Sequence, residues 1–180
     1  MSSRWVFTLV GVLAVLAGTA LWLGTKAPEP AASSPALAPG AFFASSFADT
    51  QGRPHALGEF QGKVLVVNFW ATWCAPCREE MPAFARLQSR WAGRNVQFVG
   101  LANEEPRRVE RFGKDLAINY PLLVGGEEVG ELSRRLGNPT GVLPHTVILD
   151  PQGRMIEGRV GPYTEANLEA RLESLTANSR

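Results

Sequence analysis

The junction that most limits this chain's fold starts at Val64-Leu65-Val66-Val67, an unbroken β-branched and apolar run. Such a run suits a central strand buried on both faces. Trp73-Cys74-Ala75-Pro76-Cys77 follows shortly, and then Met81, Phe84, Leu87 and Trp91 recur at helical spacing. A buried strand that feeds a helix through a CxxC leaves few architectures open. Pro82 falls inside that helix and predicts a kink.

The rest of the chain keeps the alternation. Thr50-Gln51-Gly52-Arg53-Pro54 reads as the turn of a hairpin. Val96 to Leu101 reads as a second buried strand, and Val109, Phe112 and Leu116 mark the next helix. Tyr120 to Val124 is a short strand, and Val129, Leu132 and Leu136 form a helix closed by Gly137. Thr146 to Leu149 is a strand. The turn Asp150-Pro151-Gln152-Gly153 returns it antiparallel as Arg154 to Val160, and Leu168, Leu172 and Leu175 define a last helix. This order predicts an α/β three-layer sandwich, a mixed central sheet flanked by helices.

The chemistry falls on Cys74 and Cys77, the chain's two cysteines. A thiol at a helix N-terminus meets unpaired N–H groups and the positive end of the dipole, and both favour thiolate. Cys74 is therefore expected as the exposed nucleophile, with Cys77, one turn further in, resolving the mixed disulfide. Pro76 pre-sets the backbone at the helix start. Two other readings exist. Zinc needs more ligands, and His55 and His145 are too far apart in sequence for a finger pattern; no metal is expected. A purely structural disulfide closing so small a loop adds little stability. The strand-CxxC-helix order favours a redox pair. His55, in the hairpin, reads as a surface residue.

At the front, Trp5 to Thr25 contains no charge, and Arg4 precedes it. As a helix it would span roughly 30 Å, the thickness of a hydrocarbon core. Trp5 and Trp22 suit the two interfaces, and Arg4 places the N-terminus inside. Residues 1–26 are expected as a transmembrane anchor. A cleaved signal sequence, ending near Gly18-Thr19-Ala20, is the alternative. Residues 27–40, with four prolines among Ala and Ser, form a semi-rigid linker. The folded domain is expected over 41–180. Setting aside Arg4, Lys26 and Glu29, the 18 basic and 17 acidic residues leave 16 of each beyond residue 40. A neutral domain has no field to attract polyanions, so nucleic acid is not an expected partner.

The segment Val67-Asn68-Phe69-Trp70-Ala71-Thr72-Trp73-Cys74-Ala75-Pro76-Cys77-Arg78-Glu79-Glu80-Met81-Pro82 resembles the active-site segment of the thioredoxin superfamily. More narrowly it resembles the TlpA/ResA-like membrane-anchored thiol-disulfide oxidoreductases of bacteria, over about residues 41–175. The stretch Glu104 to Val124 matches that group's inserted helix and strand. Gly141-Val142-Leu143-Pro144-His145-Thr146 matches a second superfamily element, whose proline is cis and faces the CxxC. The resemblance implies that Pro144 lies beside Cys74 and that Leu143 pairs with an extended client, with Trp73 and His145 also at the client surface.

Asn68 stands where thioredoxin has an acidic residue, so it shapes the site without titrating. Glu80, three residues after Cys77 on the same helix face, is the alternative proton-transfer group, or else a solvated residue like Glu79. A His145 cation near Cys74 would favour thiolate, though a histidine at a strand start can also be merely exposed.

The resemblance implies a tethered reductant of disulfides in exported proteins, with apocytochrome c cysteines or copper-site factors as clients. The domain would stand in the periplasm on a single-pass inner-membrane helix. Electrons would come from a membrane dithiol donor. No cofactor is expected beyond the redox-active disulfide. A redox-sensing binding or chaperone module and a disulfide donor are the alternatives. A peroxidase is disfavoured, because peroxiredoxins place Thr and Pro where this chain has Ala71 and Val67.

Overall fold

The computed structural model describes residues 37, 38 and 40–177. The expected span Trp5 to Thr25 and most of the 27–40 linker lie outside these residues. Among the described residues no helix is long and apolar enough to cross a membrane.

The strands are β1 (Ser46–Asp49), β2 (Pro54–Ala56), β3 (Val64–Trp70), β4 (Val96–Ala102), β5 (Leu122–Val124), β6 (His145–Leu149) and β7 (Met155–Val160). They form one sheet in the order β2-β1-β5-β4-β3-β6-β7. β3, β4 and β5 are parallel, and the remaining pairings are antiparallel, so the sheet is mixed. The helices are α1 (Ala75–Trp91), α2 (Pro106–Asp115), α3 (Glu127–Arg135) and α4 (Glu165–Ala177).

Period-two alternation sorts the core onto two faces. On β3, Val64, Val66 and Trp70 join one apolar cluster, with Met81, Phe84 and Trp91 of α1, Val109 of α2 and Leu168 of α4. Leu65, Val67 and Phe69 join the other, with Val129 and Leu132 of α3. Every β3 residue is buried, as helices on both sides require. Helices therefore cover both faces of the sheet, and this is the thioredoxin-like sandwich.

Several boundaries differ from the sequence reading. α1 agrees with that reading, running through Pro82 to Trp91 as one helix although proline gives up one backbone hydrogen bond there. β5 starts at Leu122, because Pro121 precedes it and Tyr120 turns into the core. β6 starts one residue early, at His145. Gly137 follows the α3 cap residue Leu136 with φ 98°, the left-handed conformation that stops a helix.

Candidate active site

The central strand β3 ends at Trp70, and α1 begins five residues later. Cys74 is the N-cap of α1, and its Sγ accepts the Cys77 N–H at 3.3 Å. A sulfur thus takes the role that a capping oxygen usually fills, on one of the helix's unpaired donors. Cys74 and Cys77 form a disulfide, S–S 2.00 Å. Pro76 sits in the first turn of α1. Cys74 is 5% exposed and Cys77 0%, so the expected exposed nucleophile is nearly covered in the oxidised form. Cys74 is the more exposed of the two residues. Trp73 beside it is 72% exposed.

The loop before Cys74 is pinned from β4's side. Glu104 accepts the Thr72 N–H at 2.5 Å and the Thr72 hydroxyl at 2.8 Å. Across from this loop the Leu143–Pro144 peptide is cis. Pro144 is buried and Leu143 half-buried. Leu143 packs against the cluster that contains both cysteines. A cleft of about 240 Å³ opens here, lined by Ala71, Trp73, Val129, Arg134 and Leu143 among others. A larger cleft of about 460 Å³, around Asp49 and Tyr120, shares no residue with it.

A polar cluster lies on the α1 face of the sheet, joined by Glu80, three residues after Cys77 on α1. Asn68 and Thr146 are register partners on β3 and β6, and both point toward α1. Asn68 Nδ2 donates to Glu80 Oε1 at 2.9 Å and to Thr146 Oγ1 at 3.1 Å. Glu80 Oε2 accepts the Tyr163 N–H at 2.8 Å. Glu80 is 4% exposed, whereas Glu79 faces solvent. It is not the solvated helix residue that the alternative reading allowed. Burial disfavours its charge and pushes its pKa up to about 7, against the opposing hydrogen bonds from Tyr163 and Asn68. Asn68 Oδ1 is buried and accepts no hydrogen bond among the described residues.

His145 requires a correction. It is one residue before Thr146 on β6, so alternation sends it to the opposite face of the sheet. There its ring stacks on Phe69, centroids 5.3 Å apart, and Nδ1 meets Ser133 Oγ of α3 at 2.9 Å. It is 1% exposed, and burial lowers its pKa to about 4. It is therefore neither an exposed residue, nor a cation beside Cys74, nor a client contact. His55 is half-buried, 3.4 Å from Asp49 and 3.3 Å from Glu59.

Four residues that shape this region went unread in the sequence: Glu104, Ser133, Asn138 and Tyr163. Glu104, Ser133 and Tyr163 meet partners 12 or more residues away, Tyr163 through its backbone, and Asn138 acts through its side chain on a loop four residues on; no spacing motif announces such contacts. The Gly137 C-cap was the available signal for Asn138, since the residue after a helix stop must satisfy the freed carbonyls.

The chain is similar to known proteins in sequence and in fold. A protein-family profile described as AhpC/TSA family matches residues 24–157. The thiol-disulfide oxidoreductase ResA of Geobacillus thermodenitrificans is 30% identical over 128 residues, 71% of this chain and 71% of that protein. The thioredoxin-like protein YneN of Bacillus subtilis is 32% identical over 126 residues, covering 68% of this chain and 71% of YneN. Among solved structures, a thioredoxin-family thiol:disulfide interchange protein from Chlorobium tepidum superposes with TM-score 0.65 at 31% identity. That match covers 79% of this chain and 97% of the other.

Proposed function

The chain belongs to the AhpC/TSA family, as a thioredoxin-like thiol-disulfide oxidoreductase of the ResA type, and on that premise we propose a membrane-tethered reductant of disulfides in exported proteins. One observation carries the reading. A cysteine pair opens a buried-strand helix, with the buried carboxyl of Glu80 one turn further in.

In the proposed cycle the Cys74 thiolate attacks one sulfur of the client disulfide. The client's other sulfur leaves as thiolate and takes a proton from solvent. Cys77 gives its proton to Glu80 and attacks Cys74 in the mixed disulfide, which releases the second client thiolate. Two electrons pass to the client, and the Cys74–Cys77 disulfide forms. A membrane dithiol protein returns the pair to its reduced state. The disulfide is the only redox group the cycle requires. Asn68 orients Glu80, and Trp73, Leu143 and Pro144 form the client surface.

The direction follows from the intervening Ala75-Pro76, which offers neither charge nor a hydrogen-bonding side chain to stabilise thiolate beyond the helix terminus. That keeps the pair nearer the thioredoxin potential, about −270 mV, than the strong oxidant's −120 mV. The uncharged run Trp5 to Thr25 supports an inner-membrane anchor with the domain in the periplasm. Apocytochrome c cysteines or copper-site factors suit a narrow-range reductant, because a general one would undo structural disulfides.

The test is trapping in cells. Cys77→Ser should accumulate a mixed disulfide with client through Cys74, and Cys74→Ser should give far less. Equal adduct through either cysteine overturns the assignment. A potential above about −150 mV overturns the direction.

A further inference from the structure

Between α3 and β6 the chain crosses to the active-site end of the sheet through residues 136–144. Asn138 sits in the middle of this crossing and is fully buried. Its backbone C=O accepts the Gly141 N–H at 3.1 Å, and its own N–H donates to Ser133 O at 3.1 Å. Its side chain holds Val142 from both sides: Oδ1 accepts the Val142 N–H at 3.2 Å, and Nδ2 donates to the Val142 C=O at 2.9 Å. Nδ2 also donates to Ser133 Oγ at 3.1 Å, and Ser133 Oγ is bonded in turn to His145. An amide side chain thus pairs with a peptide as a neighbouring strand would.

That pairing decides which backbone groups remain for a client. Both polar groups of Val142 are turned inward to Asn138. Extended backbone alternates the direction of its N–H and C=O from one residue to the next. Leu143 precedes proline and is restricted to extended conformations. Its N–H and C=O form no hydrogen bond among the described residues, and its side chain borders the cleft beside Trp73.

We propose that Asn138 is a positioning residue for the exchange reaction, holding Val142 inward so that Leu143 presents its backbone to an extended disulfide-bearing peptide. The ligand class is an extended polypeptide flanking a disulfide, and recognition runs through main-chain hydrogen bonds. Asn138 touches neither sulfur and acts through the Val142 backbone. The proposal rests on the reading that Cys74 and Cys77 exchange with client disulfides.

Two probes separate the cases: a synthetic peptide with an intramolecular Cys-x-x-Cys disulfide, and hydroxyethyl disulfide, which has no backbone to pair. The reduced full-length protein is oxidised by each in single-turnover kinetics. Asn138→Ala should raise KM for the peptide about tenfold, the size of one to two hydrogen bonds. The limiting rate and the reaction with hydroxyethyl disulfide should stay at wild-type values. Asn138→Asp keeps the shape and the acceptor for Val142 but loses the donors, and its peptide KM should fall in between. That variant carries the test if the alanine protein does not fold. Equal slowing with both probes, or a peptide KM unchanged in the aspartate variant, overturns the inference. A wild-type protein that reduces neither probe instead overturns the underlying functional reading.

Discussion

Two buried titratable groups flank the same strand pair, Glu80 on the α1 face of β3 and β6 and His145 on the α3 face. Burial favours the neutral form of each. Because one is an acid and the other a base, the same force pushes Glu80 up to about 7 and His145 down to about 4. Only Glu80 ends near neutral pH, where a proton carrier works best. Its surroundings also differ. Asn68 and the Tyr163 N–H can satisfy the carboxylate, so both protonation states are tolerated. On the other face, His145, Ser133 and Asn138 form a neutral chain that ends on Val142. One face is suited to moving a proton, the other to holding a loop. The face of the sheet distinguishes them: Glu80 packs from α1 against the Asn68–Thr146 pair, whereas His145, one residue before Thr146 on β6, turns to the α3 face.

The largest test of this contrast is stability against pH. Glu80 is protonated more tightly folded than unfolded, where its value is 4.5. Its contribution is present below pH 4.5 and lost as pH rises through about 7. His145 is protonated less tightly folded than unfolded, where its value is 6.5. Its contribution is present above pH 6.5 and lost as pH falls through about 4. Each limb is worth on the order of 3 kcal/mol at full extent. Between 4.5 and 6.5 the two slopes oppose each other. Urea unfolding across pH should show Glu80→Gln flattening the alkaline limb and His145→Phe, which keeps the stack on Phe69, flattening the acid limb. If either substitution flattened the other's limb, the division between faces would be wrong.

A smaller effect comes from Asn68→Asp, which restores an acid on the buried strand. The variant places a second carboxyl against Glu80 and removes the donor to Oε1. Two carboxyls in contact share a proton and titrate as a pair with two apparent values. The upper value should rise by at least about one unit, or about 1.4 kcal/mol, above that of Glu80 alone. NMR titration of the Glu and His side chains reads this directly, and the His145 signal should stay in place. Movement of His145 by a similar amount would mean that the faces communicate through the sheet.

The core strands and the cysteine site were legible because they rest on local patterns. The apolar run of β3, the CxxC and the helical spacing of Met81, Phe84 and Leu87 each declare themselves within a few residues. The period of two was equally available, and it already separates His145 from Thr146. The environment of Glu80 was half legible. Its helix face could be read from Cys77, but its burial depends on Tyr163, 83 residues away. Glu104 was not legible, and Asn138 was marked only by the helix stop at Gly137 before it, since their roles depend on where a loop passes after the sheet has closed. The charge of a residue did not indicate its exposure, and its partners on other elements did.

The smallest expected effect concerns rate. Thiolate formation makes the exchange faster as pH rises, and Glu80 adds a second dependence when its carboxyl ionises near pH 7 and can accept the Cys77 proton. Glu80→Gln keeps the size and the hydrogen-bond acceptor but cannot take that proton. The resolving step should slow about fivefold, well below the usual general acid–base gain of about 10²–10⁴, because water reaches the sulfurs once the disulfide opens. The inflection near neutral pH should vanish, leaving the thiol's own titration. His145→Phe should keep both the rate and the inflection, since its ring lies behind the sheet. Stopped-flow oxidation of the reduced protein by a peptide disulfide, measured across pH for the three proteins, tests this. Persistence of the inflection in Glu80→Gln would assign the proton to solvent and reduce Glu80 to a buried structural acid.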